Sequence, residues 1–326
     1  MEDFLKVYSV SKSYRHGKRK VQNAVSGVSF TLEEGRCLGL VGESGCGKST
    51  LCRLIAGVEQ PSGGEILYQG ESNYLKKLRG QIQMVFQNSL DAVNLHLNVF
   101  RIIEEPLENF SKLKRQERRE RVGELLETVG LSKEDMDKYP QQFSGGQLQR
   151  ICIARALAAN PKLLLLDEPL SSLDVSVQAQ LLNLLSDLKK DWNLTCILVS
   201  HDLEAVYYLA DEIVVMYGGC LVEQIRDIRD FPALRHPYTR SLLAAHKLDF
   251  QDGGADVERT GEERNTGCVY AAICPYAKEK CFQEIPLLRE WEKGHSIACH
   301  FSEQLPSPPL NITNNVTELK NIIFYR

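Results

Sequence analysis

The residues Gly42-Glu43-Ser44-Gly45-Cys46-Gly47-Lys48-Ser49-Thr50 place glycine, lysine and hydroxyl side chains at the spacing G-x-x-x-x-G-K-S. A polyphosphate is the ligand this run suits. Glycines let the backbone curl closely around an anion, because a Cβ would block both the dihedrals and the approach. Backbone N–H groups and the N-terminus of a following helix then supply positive potential. Lys48 is placed to neutralise the β- and γ-phosphates of a nucleotide, and the Ser49 hydroxyl to ligate Mg2+. Apolar Cys37-Leu38-Gly39-Leu40-Val41 precedes the run and helix-like Leu51-Cys52-Arg53-Leu54-Ile55-Ala56 follows it. This strand–loop–helix setting separates the motif from a glycine turn with an accidental lysine. Gly42, Gly45, Gly47, Lys48, Ser49 and Thr50 are therefore the expected nucleotide-binding residues.

A second run, Leu163-Leu164-Leu165-Leu166-Asp167-Glu168, ends four apolar residues in two acids. Four leucines fit a strand buried on both faces, which puts the acids at its tip beside the phosphates. Asp167 is expected to hold Mg2+ through its water shell, and Glu168 to polarise the attacking water as general base. On its own such a run is equally a surface turn; the phosphate loop gives it meaning. A third run, Phe143-Ser144-Gly145-Gly146-Gln147, opens a helix-like segment that continues to Leu157. A serine N-cap, two glycines and a helix N-terminus make a second phosphate-binding element from Ser144, Gly145, Gly146 and Gln147. One chain cannot easily offer both elements to the same nucleotide.

Positioning these groups calls for an α/β domain. Residues 1 to about 245 alternate β-branched or apolar runs with helical patterns, which predicts a largely parallel sheet. Strands are expected over 36–41, 82–86, 163–167, 196–200 and 212–217. An amphipathic helix is expected over 112–129, with Val122, Leu125, Leu126 and Val129 on one stripe and a solvated charged face. A second helix is expected over 174–192, burying Val177, Leu181, Leu182, Leu184, Leu185 and Leu188. The polar stretch 249–267 reads as a linker, 268–300 as a compact cysteine-rich unit, and the residues after the Pro-rich 305–309 as a poorly ordered tail.

The chain has 326 residues, enough for one large domain with an appendage, and at 43% hydrophobic it has ample material for a core. A net charge of −4 argues against a general nucleic-acid-binding surface. No apolar run is long enough to span a bilayer, and the N-terminus lacks the pattern of a signal peptide. The expectation is a cytoplasmic protein whose membrane role, if any, comes through partners. Of ten cysteines, Cys37, Cys46, Cys52, Cys152, Cys196 and Cys220 read as small core residues. Cys268, Cys274, Cys281 and Cys299 stand apart, separated by five, six and seventeen residues. Four thiolates suit a cubane iron–sulfur cluster and also tetrahedral zinc, although the short C-x2-C pair of zinc ribbons is missing.

Together the three runs resemble the motifs of ABC transporter ATPases: Walker A at 42–50, Walker B at 163–168, and the signature, in which Phe143 stands for the usual leucine. The remaining family motifs follow in order over roughly residues 4–245. Tyr14, in Ser11-Lys12-Ser13-Tyr14, matches the aromatic that stacks on adenine. Gln87, in Met84-Val85-Phe86-Gln87, matches the glutamine that senses Mg2+ and the channel. Ser171-Ser172-Leu173-Asp174 matches the loop lining the dimer interface, and His201, after Ser200, matches the switch histidine at the γ-phosphate. The resemblance implies an ATPase with a P-loop NTPase core over 1–245, a parallel-rich sheet, and an inserted helical subdomain at about 96–158. A linker, a small Cys-rich extension and a tail would occupy 246–326. It further implies a head-to-tail dimer in which each signature closes on the partner's Walker A, with Lys48, Gln87, Glu168 and His201 catalytic.

His236-Pro237-Tyr238-Thr239-Arg240-Ser241-Leu242-Leu243 resembles a segment that follows the core in dipeptide, oligopeptide and nickel importer ATPases. The four late cysteines resemble the C-terminal motif of the same branch, which implies a [4Fe–4S] cluster, with Zn2+ or no metal as alternatives. Ile273 and Tyr270 depart from that motif without removing a ligand. A cluster so far along the chain from the phosphate loop is expected to be structural or regulatory. The resemblance implies two transmembrane permease subunits, an extracytoplasmic binding protein and a second, non-identical ATPase as partners, at the cytoplasmic face of the membrane, with no nucleic acid. Peptide is the favoured cargo, with nickel or a metal chelate behind it. The rival reading is a soluble ABC ATPase acting on nucleic acid or ribosomes.

Overall fold

The computed structural model describes residues 3–16, 20–71, 80–245 and 266–306. The four leucines of the second run explain its centre. Leu163–Asp167 is a strand with every residue buried, and its side chains alternate between two cores. Leu164 and Leu166 enter one, Leu163 and Leu165 the other. A strand that is apolar on both faces must lie inside a sheet covered on both sides.

In chain order the strands are β1 (Leu5–His16), β2 (Lys20–Leu32), β3 (Cys37–Val41), β4 (Gly63–Tyr68), β5 (Ile82–Val85), β6 (Leu163–Asp167), β7 (Thr195–Ser200), β8 (Glu212–Tyr217), β9 (Cys220–Ile225), β10 (Arg289–Glu292) and β11 (His295–Ile297). The helices of main interest are α1 (Lys48–Ile55), α2 (Val99–Phe110), α3 (Arg115–Thr128), α4 (Gly145–Ala158), α5 (Val175–Trp192), α6 (Leu203–Leu209) and α7 (Pro237–Ala245). The larger sheet runs β10-β11-β9-β8-β3-β7-β6-β5, and the smaller β2-β1-β4. From β5 to β8 every neighbouring pair is parallel, so the tips of β3 and β6 point the same way and bring both motif runs to one edge. Helix α1 lies in the core between the two sheets.

The expected strands and both expected helices are present, with ends within three residues of those expected. Helix α3 starts at Arg115 rather than 112 because the Lys114 N–H donates to Glu117 Oε2 at 2.6 Å, which fixes the cap. Val122, Leu125, Leu126 and Val129 are fully buried, as their spacing requires. In α5, Leu181, Leu182, Leu185 and Leu188 are buried, but Val177 and Leu184 are only half-buried.

The late part of the chain departs most from a simple appendage. β11 pairs antiparallel with β9, His295 opposite Ile225 and Ile297 opposite Glu223, and β10 pairs with β11. The cysteine-rich segment thus extends the main sheet. Strands this short leave no alternation to read. Most of the expected linker, and the expected tail after 309, lie outside the described residues.

Candidate functional site

The loop between β3 and α1 has the shape a phosphate needs. Gly47 has φ 107°, and a Cβ there would sit 2.1 Å from the Ala24 carbonyl oxygen. Only glycine meets both demands. Lys48 is 3% exposed. Its ammonium folds back over the loop, donating to Gly42 O at 2.7 Å and Glu43 O at 2.9 Å.

Both acids meet this loop. Ser49 Oγ donates to Asp167 Oδ1 at 3.0 Å, and burial raises the Asp167 carboxyl above its ordinary range while that bond pulls the other way. A hydroxyl and a carboxylate side by side are the hard oxygen donors that Mg2+ takes. Glu168 gathers the other polar groups. Lys48 Nζ lies 3.8 Å from its Oε1, His201 Nδ1 is 3.5 Å from its Oε2, and Gln87 Nε2 donates to Oε2 at 3.1 Å. Ser171 Oγ donates to the Glu168 carbonyl at 3.0 Å. Glu168 has φ 47°, a left-handed conformation costly for a residue with a side chain, and its N–H is held by Val199 O at 3.0 Å. The carboxylate is aimed by a strained backbone that β7 holds in place. Nothing in the spacing of the sequence signals this φ.

A cavity of about 1450 Å3 opens over Ser44, Gly45, Gly47, Lys48, Ser49 and Thr50. Tyr14, Gln87 and Glu168 also line it. Tyr14 is anchored, its hydroxyl donating to Glu59 Oε2 at 2.6 Å with Lys12 above its ring.

The signature residues are not among those lining the cavity. Ser144 caps α4 through a reciprocal pair: its N–H donates to Gln147 Oε1 at 3.0 Å, and its Oγ accepts from Gln147 N at 3.4 Å. A Cβ on Gly146 would lie 2.3 Å from Val177 Cγ1, so this glycine admits α5 to close contact. Ser144 thus preforms a helix N-terminus that stands apart from the cavity over its own chain's phosphate loop.

Sequence distance misled in one respect. Residues 268–285 are not remote from the phosphate loop: Cys268, Val269, Ile273, Cys281, Phe282 and Ile285 form a wall of the same cavity. Cys220 lines it too and is half-buried, whereas Cys37, Cys46, Cys52, Cys152 and Cys196 are buried as expected. The Cys268 N–H donates to Cys281 O at 2.7 Å. Burial pushes the Cys274 thiol up to about 11, and the thiols of Cys268, Cys299 and Cys281 push the same way. Among the described residues no group of three or more His, Cys, Asp and Glu is arranged to hold a metal ion.

The unit is fastened by buried polar contacts. Glu223, fully buried on β9, meets His295 Nε2 at 2.9 Å and accepts the His236 N–H at 3.1 Å. Burial lowers the His236 pKa from 6.5 to about 4, against an opposing pull from Glu223. A histidine held neutral in the fold contributes stability that is present above pH 6.5 and lost as pH falls through 4. Denaturant titrations at pH 6.5 and pH 4 should differ by on the order of 3 kcal/mol from this group. His236→Asn, whose carbonyl can still accept the Tyr238 N–H, should flatten that dependence; an unchanged slope would discard the assignment.

Comparison with known proteins agrees with the geometry. The family model described as ABC transporter matches residues 25–171. The chain is 42% identical over 318 residues to the dipeptide transport ATP-binding protein DppF of Escherichia coli, covering 94% of this chain and 95% of that one. It is 41% identical over 322 residues to the oligopeptide transport ATP-binding protein AppF of Bacillus subtilis, covering 92% and 97%. Among solved structures it is similar to a dimeric, post-hydrolysis ATP-binding cassette bound to ADP and Pi, at 30% identity and TM-score 0.61, over 68% of this chain and 97% of that one. It is also similar to cbiO1 of Clostridium perfringens, part of an ABC transporter complex, at 28% identity and TM-score 0.63, over 75% and 96%.

Proposed function

This chain belongs to the ABC transporter family, among its ATP-binding subunits, and on that premise we propose that its ATPase activity drives the import of short peptides. The carrying observation is the convergence of Lys48, Gln87 and His201 on the Glu168 carboxylate at the mouth of the phosphate loop. Relatives named for dipeptide and oligopeptide transport, aligned over nearly the whole chain, support the cargo class.

In this mechanism ATP lies with its phosphates on the loop 42–50 and its adenine against Tyr14. Ser49 and Asp167 would hold Mg2+, which supplies charge neutralisation at the β- and γ-phosphates. Glu168 accepts a proton from the attacking water as it adds to the γ-phosphorus in line with the leaving ADP oxygen. Lys48 and His201, with the signature serine of a second ATPase, stabilise the charge on the equatorial oxygens, as Ser144 does in turn for the partner's nucleotide. Gln87 bonds to Glu168 from the segment after β5, so movement of that segment against a permease alters the base itself. The second ATPase is a non-identical relative, and the pair works beneath two permease subunits and an extracytoplasmic binding protein. The membrane location comes from these partners, since no helix among the described residues is long and apolar enough to cross a bilayer.

The four late cysteines are proposed to hold a [4Fe–4S] cluster. Four thiolates suit a cubane cluster, and the short C-x2-C pair typical of zinc ribbons is missing from their spacing. Chain purified without oxygen should carry about four irons and four sulfides and a broad brown absorption that Cys281→Ser removes. Zinc alone, or no metal, would reject the cluster and leave the ATPase reading standing.

Transport is tested in membrane vesicles containing this chain with its co-purified membrane subunits. ATP-dependent accumulation of a labelled dipeptide supports the proposal. Accumulation of nickel and not peptide would reassign the cargo, and co-purification with nucleic acid in place of membrane subunits would reject the transport role.

A further inference from the structure

We propose that Tyr238 is a positioning residue that couples the cysteine-rich unit to the phosphate loop. Its hydroxyl accepts the Glu43 N–H at 2.8 Å, inside the phosphate-binding run. Its ring is fully buried, 4.5 Å from the Tyr217 ring and 5.6 Å from that of Tyr270. Tyr270 lies two residues beyond Cys268 and meets Tyr217 edge-on at 5.2 Å. A Cβ on Gly218 would meet Val269 at 3.4 Å. Loop, strut and cysteine unit therefore form one packed series: Glu43, Tyr238, Tyr270, Cys268.

Contacts of this kind have an energetic consequence. The loop's geometry at Glu43 depends on where the Tyr238 ring sits, and that ring rests on Tyr270. A nucleotide that orders the loop must then stabilise the packing of 268–282, and the reverse holds with the same factor, because coupling between binding equilibria is reciprocal. The shared cavity wall brings a nucleotide near the unit, but wall contact alone does not involve the Tyr238 hydroxyl. That difference separates coupling through the strut from simple shielding.

The proposal rests on the nucleotide reading of 42–50, and the experiment keeps the two apart. MgADP affinity is measured by calorimetry, and amide exchange over 267–283 with and without MgADP, on the full chain. In the parent chain MgADP should slow exchange there at least threefold, since opening of this unit is what exposes the Cys268 amide. Tyr238→Phe keeps the ring and the fold but takes the acceptor from Glu43. Its MgADP affinity should fall about fivefold or more, KM for ATP should rise with kcat nearly unchanged, and exchange over 267–283 should no longer respond to MgADP. Tyr270→Leu, which removes the ring that packs against Tyr238, should also weaken MgADP about threefold. Parental affinity in Tyr238→Phe, or a nucleotide response over 267–283 that survives in it, would overturn the strut. A parent chain that binds no MgADP at all would overturn the nucleotide reading and the strut with it.

Discussion

Glu168→Gln should retain nucleotide affinity and lose about 10²–10⁴-fold in turnover, the range that a positioned general base contributes. Glutamine has the same shape and can still accept the Gln87 amide hydrogen, so the site stays assembled. What it cannot do is take a proton from water. Removing the negative charge 3.8 Å from Lys48 also frees the ammonium for phosphate, so binding should hold or tighten. Single-turnover and steady-state phosphate release, with a separate binding titration, decide the matter. A steady-state rate within about threefold of the parent would assign the base elsewhere.

Lys48→Ala attacks the other half of the site. The ammonium is buried and already poised over the loop by the Gly42 and Glu43 carbonyls. Hydrogen bonds to charged groups are worth about 1.5–3 kcal/mol each, which sets the expected loss of affinity at roughly 10- to 150-fold. The fold should survive, because alanine leaves only polar loop atoms behind and α1 keeps its apolar anchors Leu51, Leu54 and Ile55. An unchanged affinity in direct titration would count against the whole phosphate-loop assignment.

Much of this site could be read from the sequence, for identifiable reasons. The phosphate loop is a local motif whose chemistry depends on neighbours in the chain, so spacing alone places Gly47, Lys48 and Ser49. The four leucines of β6 announce a doubly covered strand, and the acids at its end follow. What spacing could not supply was geometry between distant segments. The meeting of Gln87, His201 and Glu168 joins three loops across the sheet, and the left-handed backbone at Glu168 has no residue-type signature. Tyr238 was visible only as part of a family resemblance; its hydroxyl under the Glu43 amide appears when α7 is folded back on the loop. The cysteine unit seemed remote because residues 246–265 separate it from the core in sequence, while two very short strands return it to the core sheet.

That return bears on where the chain can be cut. β9 has β8 on one side and β11 on the other, so a chain ending at Ala245 would lack its outer neighbour. Such a chain would leave a row of unpaired N–H and C=O groups along β9, a template for pairing with other chains. It would also strip His295 from the buried Glu223. A minimal cassette drawn from the motifs alone would thus trade a smaller molecule for a sticky one. The unit that looks like baggage in the sequence acts as the sheet's hem, keeping an exposed edge from self-association.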